Sequence, residues 1–164
     1  VTGKATTLGA GTFTGGTDVV AGLYDVTPGA GQSGNFVVTG TNSYNEILGG
    51  SDGVPKVRAQ IINGDSIQIS SLSQVIFTPV TTPPITGHVP VTLYAGDWTV
   101  GEDLGPGRYV ATPGPGESGN FIIENQNVNE ILGGSNGVPN VTFNVDKGDI
   151  ISISSLGQVN LTPQ

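Results

Sequence analysis

Asn45-Glu-Ile-Leu-Gly-Gly-Ser-Asp-Gly-Val-Pro55 returns later in the chain as Asn129-Glu-Ile-Leu-Gly-Gly-Ser-Asn-Gly-Val-Pro139. The match extends outward from this pair in both directions. Thr7 to Val80 aligns with Thr92 to Gln164. The offset is 85 up to Asn42/Asn127 and 84 from Asn45/Asn129, with one residue deleted near Ser43-Tyr44. Roughly 40 of about 74 aligned positions are identical, far above what two Gly-rich strings share by chance. Thr27-Pro-Gly-Ala-Gly-Gln-Ser-Gly-Asn-Phe36 becomes Thr112-Pro-Gly-Pro-Gly-Glu-Ser-Gly-Asn-Phe121, and Ile69-Ser-Ser-Leu72 becomes Ile153-Ser-Ser-Leu156. Solenoid repeats run about 20 to 50 residues, so copies of this length read as tandem domains. The boundaries are 1–80 and 92–164. Residues 81–91 form a connector rich in Pro and Thr, a composition that favours an extended, semi-stiff link.

Neither copy contains a helical pattern, because Gly or Pro interrupts every window. Period-2 alternation is present instead. Val57, Ala59 and Ile61 share a face, as do Val141, Phe143 and Val145. Ile67/Ile69, Val75/Phe77, Tyr24/Val26 and Phe36/Val38 repeat the pattern, each with a counterpart in the second copy. Asn63-Gly64-Asp65 and Lys147-Gly148-Asp149 read as hairpin turns, with the Asp capping through an Asx-type bond. About six or seven short strands per copy give the spacing of a sandwich or barrel. The expected fold is all-β: two small antiparallel β-sandwich domains, for which a jelly roll is one available form. The expected core includes Tyr24/Tyr109, Phe36/Phe121, Ile47/Ile131, Ile69/Ile153 and Leu72/Leu156.

Composition removes several functions. The 164 residues include no Cys and one His, so thiolate metal sites, disulfides and His-rich centres are excluded. Five Lys and Arg against thirteen Asp and Glu give a net charge of -8. Such a chain lacks the clustered cations that nucleic-acid binding needs. No apolar run approaches the roughly 20 residues of a membrane-spanning helix. Val1 follows neither Met nor a charged leader, so a mature form or an excised fragment is expected.

Ala95-Gly-Asp-Trp-Thr-Val-Gly-Glu-Asp-Leu-Gly-Pro-Gly-Arg-Tyr109, with the Ser-Gly-Asn-Phe and Asn-Glu-Ile-Leu blocks, resembles a group of small Gly-rich β domains. These occur in secreted proteins and lipoproteins of Gram-positive bacteria, and in their phages. The first copy departs from the pattern, with Gly15 at the place of Val100 and Thr17 at the place of Glu102. The resemblance implies a β fold and an extracellular or virion setting, and it carries over no catalytic residue.

Candidate chemistry is sparse. The Gly29–Gly34 loop has no following helix and no nearby Lys, so it does not read as a phosphate cradle. His88 lies in the connector, where it reads as an exposed residue outside either domain. Trp98 aligns with Phe13 and reads as a core side chain, whereas Tyr44 and Tyr94 have no aromatic counterpart and read either as exposed rings or as rings that cover a strand edge. The identical block makes Asn45, Glu46 and Ser51, with Asn129, Glu130 and Ser135, the candidate ligand- or partner-binding residues. In that reading Ile and Leu anchor inward, while Asn and Glu are either presented to a partner or tie the Gly-Gly turn by hydrogen bonds to its N–H groups. Asp97, Glu102 and Asp103 form a candidate calcium set in the second copy. No other cofactor is expected. The expected function is a non-catalytic module of a bacterial cell-surface or secreted protein, acting in adhesion, spacing or ligand binding. Its partner would be a protein or a cell-wall glycan. The alternative is a phage tail or capsid accessory domain.

Overall fold

The computed structural model describes residues 3–164. The chain divides into two compact units, Val1–Thr81 and Thr82–Gln164. In the first, eight strands follow in order: β1 (Thr6–Leu8), β2 (Gly11–Thr14), β3 (Gly22–Pro28), β4 (Gly34–Thr39), β5 (Tyr44–Leu48), β6 (Val57–Ile61), β7 (Ser66–Ser70) and β8 (Val75–Pro79). They form the antiparallel arrays β1-β8-β3-β6 and β2-β7-β4-β5. The second unit repeats this with β9 (Val91–Leu93), β10 (Gly96–Thr99), β11 (Gly107–Pro113), β12 (Ser118–Ile123), β13 (Val128–Gly133), β14 (Val141–Val145), β15 (Ile150–Ser154) and β16 (Val159–Pro163). Its arrays are β9-β16-β11-β14 and β10-β15-β12-β13. Eight strands in two sheets in this order make each unit a double-sheet jelly roll. Among the described residues the helical content is one 3-10 turn at Glu124–Gln126.

Each unit has eight strands where the alternation indicated six or seven. The additional ones are three or four residues long, too short for a periodic signal. Asn63-Gly64-Asp65 is not a hairpin, because β6 and β7 lie in different sheets. The turn carries the chain from one sheet to the other. Its Asx bond does form: Ile62 N–H donates to Asp65 Oδ2 at 2.8 Å, and Asp146 N–H donates to Asp149 Oδ2 at 2.8 Å.

The core lies between the sheets. Phe36 meets Phe77 across the first sandwich at 5.9 Å between ring centroids, and Phe121 meets Phe143 across the second at 5.3 Å. Tyr24 and Tyr109 are fully buried, yet each hydroxyl donates back to a carbonyl four residues upstream, of Val20 and Gly105 respectively. This satisfies a polar group that would otherwise be costly to bury. The third aromatic does not stay in one place. Phe77 sits on β8 opposite Val26, where the second unit has Leu161 opposite Ala111; Phe143 sits on β14 opposite Tyr109, where the first unit has Ala59 opposite Tyr24. Ala, Phe and Val in one unit thus replace Phe, Leu and Ala in the other. The exchange conserves volume to about one methylene, as close packing requires.

Two sequence expectations are corrected here. Ile47 and Ile131 are not core residues; they are 47% and 46% exposed. Adjacent strand residues face opposite ways, and Leu48 and Leu132, both fully buried, take the inward positions. The connector is also not free of the second unit. Ile85 N–H donates to the Glu102 carbonyl at 2.6 Å, and Gly105 N–H to the Gly87 carbonyl at 3.1 Å.

Two predictions follow from the packing. Ile69→Ala or Ile153→Ala should cost about 2–5 kcal/mol in urea titration, whereas Ile47→Ala and Ile131→Ala should cost under about 0.5 kcal/mol. Ala59→Phe alone should destabilise by about 1–3 kcal/mol through overpacking, and Phe77→Leu added to it should recover part of that loss.

Candidate functional site

The two longest repeated blocks meet at one end of each sandwich. In the first unit Pro28 closes β3, and Gly29 N–H donates to the Gln74 carbonyl at 2.8 Å. Gln32 N–H donates back to the Gly29 carbonyl at 3.1 Å, which tightens the loop. The Gln32 Oε1 accepts from the N–H groups of Ser73 and Gln74, both at 3.0 Å, and so ties this loop to the β7–β8 connection. The Ser33 hydroxyl donates to the Gly49 carbonyl at 3.1 Å, joining the loop to the Gly-Gly turn after β5. That turn is closed by Gly49 N–H on the Val54 carbonyl and Val54 N–H on the Ile47 carbonyl, each at 2.8 Å.

The second unit reproduces this arrangement. Gly114 N–H donates to Gln158, Ser118 Oγ to Gly133, and Gly133 N–H to Val138. Glu117 stands where Gln32 does, and its Oε1 accepts from the N–H groups of Gly157 and Gln158. A carboxylate serves as well as an amide because only an acceptor is needed. The sequence reading missed Ser33/Ser118 and Gln32/Glu117 as the residues that hold the loops together. The signal was available in the repeated Ser-Gly-Asn-Phe block.

Between the loops of the first unit lies an open depression of about 430 Å³. Thr27 to Gln32 form one wall; Gly49, Gly50, Gly53 and Pro55 form the other. Glycine is required at the turn. Gly49 has φ +86, and a Cβ there would lie 2.2 Å from the Gln32 carbonyl oxygen. The lining offers backbone groups, one carboxamide and apolar ring faces. It contains no carboxylate, no imidazole and no cation, so it can hold a ligand by hydrogen bonds and contact but has no acid or base to move a proton.

None of the candidate site residues singled out from the sequence lines this depression. Asn45, Ser51, Asn129, Glu130 and Ser135 are exposed. Glu46 is 5% exposed, on the inward face of β5 with Tyr44 and Leu48, so of the two roles open to it the presented one is not realised. Its counterpart Glu130 is exposed, so one sequence gives two environments. Tyr44 and Tyr94 are buried, so of their two readings the exposed one is not realised. The Tyr44 oxygen accepts from Gln60 N–H at 2.9 Å, and the Tyr94 ring stands edge-on to Trp98 at 4.6 Å. Trp98 is in the core as its alignment with Phe13 implied, its indole N–H donating to the Tyr94 carbonyl at 2.7 Å. His88 is exposed but attached to the second unit. Its Nε2 lies 2.7 Å from the Arg108 carbonyl oxygen, and its ring stands edge-on to Tyr109 at 4.7 Å.

The proposed calcium ligands do not converge. Among the described residues no three acidic or imidazole side chains gather as a metal group. Asp97 accepts from the Ser152 hydroxyl at 2.8 Å, Asp103 accepts from Thr99 N–H at 2.8 Å, and Glu102 is exposed. Asp18 makes the same bond to Thr14 N–H at 2.8 Å, which identifies this carboxylate as a turn element in both units.

Asp149 accepts from one backbone N–H and two side-chain amides. The Asp146 N–H holds its pKa below the usual 3.8, and the side-chain amides of Gln126 and Asn125 reinforce the effect against the opposing influence of burial. Comparison with protein-family models, with curated proteins and with solved structures finds no match for this chain.

Two measurements check this description. Gly49→Ala should destabilise well beyond Gly31→Ala, because both have positive φ but only Gly49 also meets a backbone oxygen. Equal losses by thermal melting would contradict the close approach. Asp149 has a depressed folded-state pKa, so its contribution is complete above its unfolded value of about 3.9 and fades as pH falls through the folded value. Urea titrations of wild type and Asp149→Asn should therefore differ most near neutral pH and converge in acid.

Proposed function

We propose that this chain is a non-catalytic, duplicated β-sandwich module of a bacterial cell-surface or secreted protein, acting in adhesion, spacing or ligand binding. One observation carries the reading. Both units keep the same loop-to-loop hydrogen bonds at the same end, and in the first unit that end encloses a depression without ionisable side chains. Such a surface supports binding and offers no carboxylate or imidazole to act as a general base. Duplication suits the same role, since two weak sites on one chain gain avidity without new contacts.

The second reading, a phage virion component, draws on the strand order. Double-sheet jelly rolls are common in viral capsid and lectin domains. That is an argument from fold alone, and a fold hosts many functions.

Localisation separates the readings. An antibody against the chain should detect it in the cell-wall or culture-medium fraction of the source organism. Detection only in purified phage particles would select the virion reading. Detection only in cytoplasm would overturn both.

A further inference from the structure

Two asparagines in the chain precede glycine, Asn63 in the first unit and Asn136 in the second. This dipeptide has a chemistry of its own. With no side chain on the second residue, its backbone nitrogen can reach the carboxamide carbon of the first and close a five-membered imide. Every other asparagine is followed by a residue whose side chain obstructs that approach. The dipeptide alone makes the two sites equal, and the fold makes them different.

Asn63 is held away from reaction. Gly64 N–H donates to the Gly15 carbonyl at 2.9 Å, so the nitrogen that must attack is already engaged. Asp65 N–H donates to the Ile62 carbonyl at 3.1 Å, and Ile62 N–H to Asp65 Oδ2 at 2.8 Å, which pins the turn on both sides of the dipeptide. The Asn63 carboxamide oxygen also lies against Gly16, where a Cβ would stand 2.2 Å from it. Rotating Asn63 and Gly64 into an imide would cost these hydrogen bonds.

Asn136 lies exposed in the bend between β13 and β14. Among the described residues neither its carboxamide nor Gly137 N–H has a hydrogen-bond partner. The bonds that close the bend bracket the dipeptide without engaging it: Gly133 N–H donates to the Val138 carbonyl at 2.8 Å, and Val138 N–H to the Ile131 carbonyl at 2.9 Å. The product also has a precedent in the chain. The first unit carries Asp52-Gly53 at the same place, closed by the equivalent bonds of Gly49 and Val54, so an aspartate fits this bend. Asn136 against Asp52 is the one difference between the blocks 45–55 and 129–139.

We propose that Asn136 is a site of spontaneous deamidation. The Gly137 nitrogen loses its proton and bonds to Asn136 Cγ; the Cγ–Nδ2 bond breaks, and ammonia leaves carrying that proton. Water then opens the imide. Cleavage between the ring nitrogen and Cγ gives aspartate. Cleavage between that nitrogen and the main-chain carbonyl carbon gives isoaspartate, whose backbone is one atom longer. Either product adds a negative charge to a chain that already carries -8, and the first makes the two blocks identical. Asp52 reaches the same imide only by losing water from a carboxylate that is ionised at neutral pH, so it converts more slowly. None of this depends on where the chain acts or what it binds.

Peptide mapping by mass spectrometry tests it on the full chain, aged at mildly alkaline pH in heavy-oxygen water and then digested with trypsin. The label marks conversions that precede digestion. Cleavage after Arg58, Arg108 and Lys147 puts Asn63 and Asn136 on separate peptides, and fragmentation assigns the label to a residue. In the folded chain Asn136 should convert about tenfold or more faster than Asn63. In guanidinium chloride the two rates should converge to within about threefold. Asn136→Gln should remove the label from its peptide and leave Asn63 unchanged. Equal rates in the folded chain overturn the proposal, as does an Asn136 that stays intact for as long as the denatured chain takes to convert. Label that persists on the same peptide in the Asn136→Gln variant places the reaction at another residue and overturns the assignment.

Discussion

Each unit depends on apolar contact between two sheets whose strands alternate between them in sequence except at the β4–β5 and β12–β13 hairpins. Phe36 against Phe77, and Phe121 against Phe143, fill the gap between the layers. Burial of such rings is the main favourable term available to a small domain without disulfides. The rest of the architecture follows from keeping that contact dry. Tyr24 and Tyr109 return their hydroxyls to backbone carbonyls, and the chain must cross between sheets repeatedly without leaving polar groups unsatisfied. Asp65 and Asp149 manage one such crossing, and each takes a backbone N–H that the turn would otherwise orphan.

The Gly-rich loops answer the same demand at the sandwich end. Two connections approach closely enough that a carbonyl fills the place of a Cβ at Gly49 and at Gly133. Identity of the Gly-Gly turn between the copies therefore has a steric cause. This weakens any functional inference drawn from the glycines themselves, and it moves attention to exposed side chains that packing leaves free to vary.

The β class, the duplication and most of the core were legible because they depend on period-2 alternation and on repeated blocks. Ile67, Ile69, Val75 and Phe77 were readable as inward-facing from one strand alone. The exposure of Ile47 follows from Asn45 to Leu48 being part of an edge strand, where alternation sends Ile47 outward, whereas the sequence reading anchored adjacent Ile and Leu both inward. Had its pairing been recognised, adjacent Ile and Leu could not both have been placed inside. Whether a turn is a hairpin or a crossing between sheets is not encoded in the turn. Asn63-Gly64-Asp65 has the local chemistry of a hairpin, and only the long-range pairing of β6 with β3 and β7 with β4 decides otherwise. The burial of Tyr44 had no signal in the alignment, since its position falls at the single deletion.

The two units also serve as a comparison of one fold with itself. In the core, aromatic and aliphatic side chains have exchanged places across β3 and its counterpart, and total volume is nearly unchanged. Packing constrains the sum and tolerates redistribution, so a core position can drift provided its neighbour compensates. An exposed position has no such neighbour and should drift more readily. Ser70, Asn35 and Ile47 have not drifted, although solvent reaches all three and Ser66 and Gln68 beside them have changed. Hydration alone places no premium on an exposed isoleucine, and burial does not hold it there. A β-branched side chain nonetheless suits a strand position whether or not it is buried, and the outward-facing Thr14/Thr99 and Thr78/Thr162 are retained as well, so identity at this row requires no cause outside the fold.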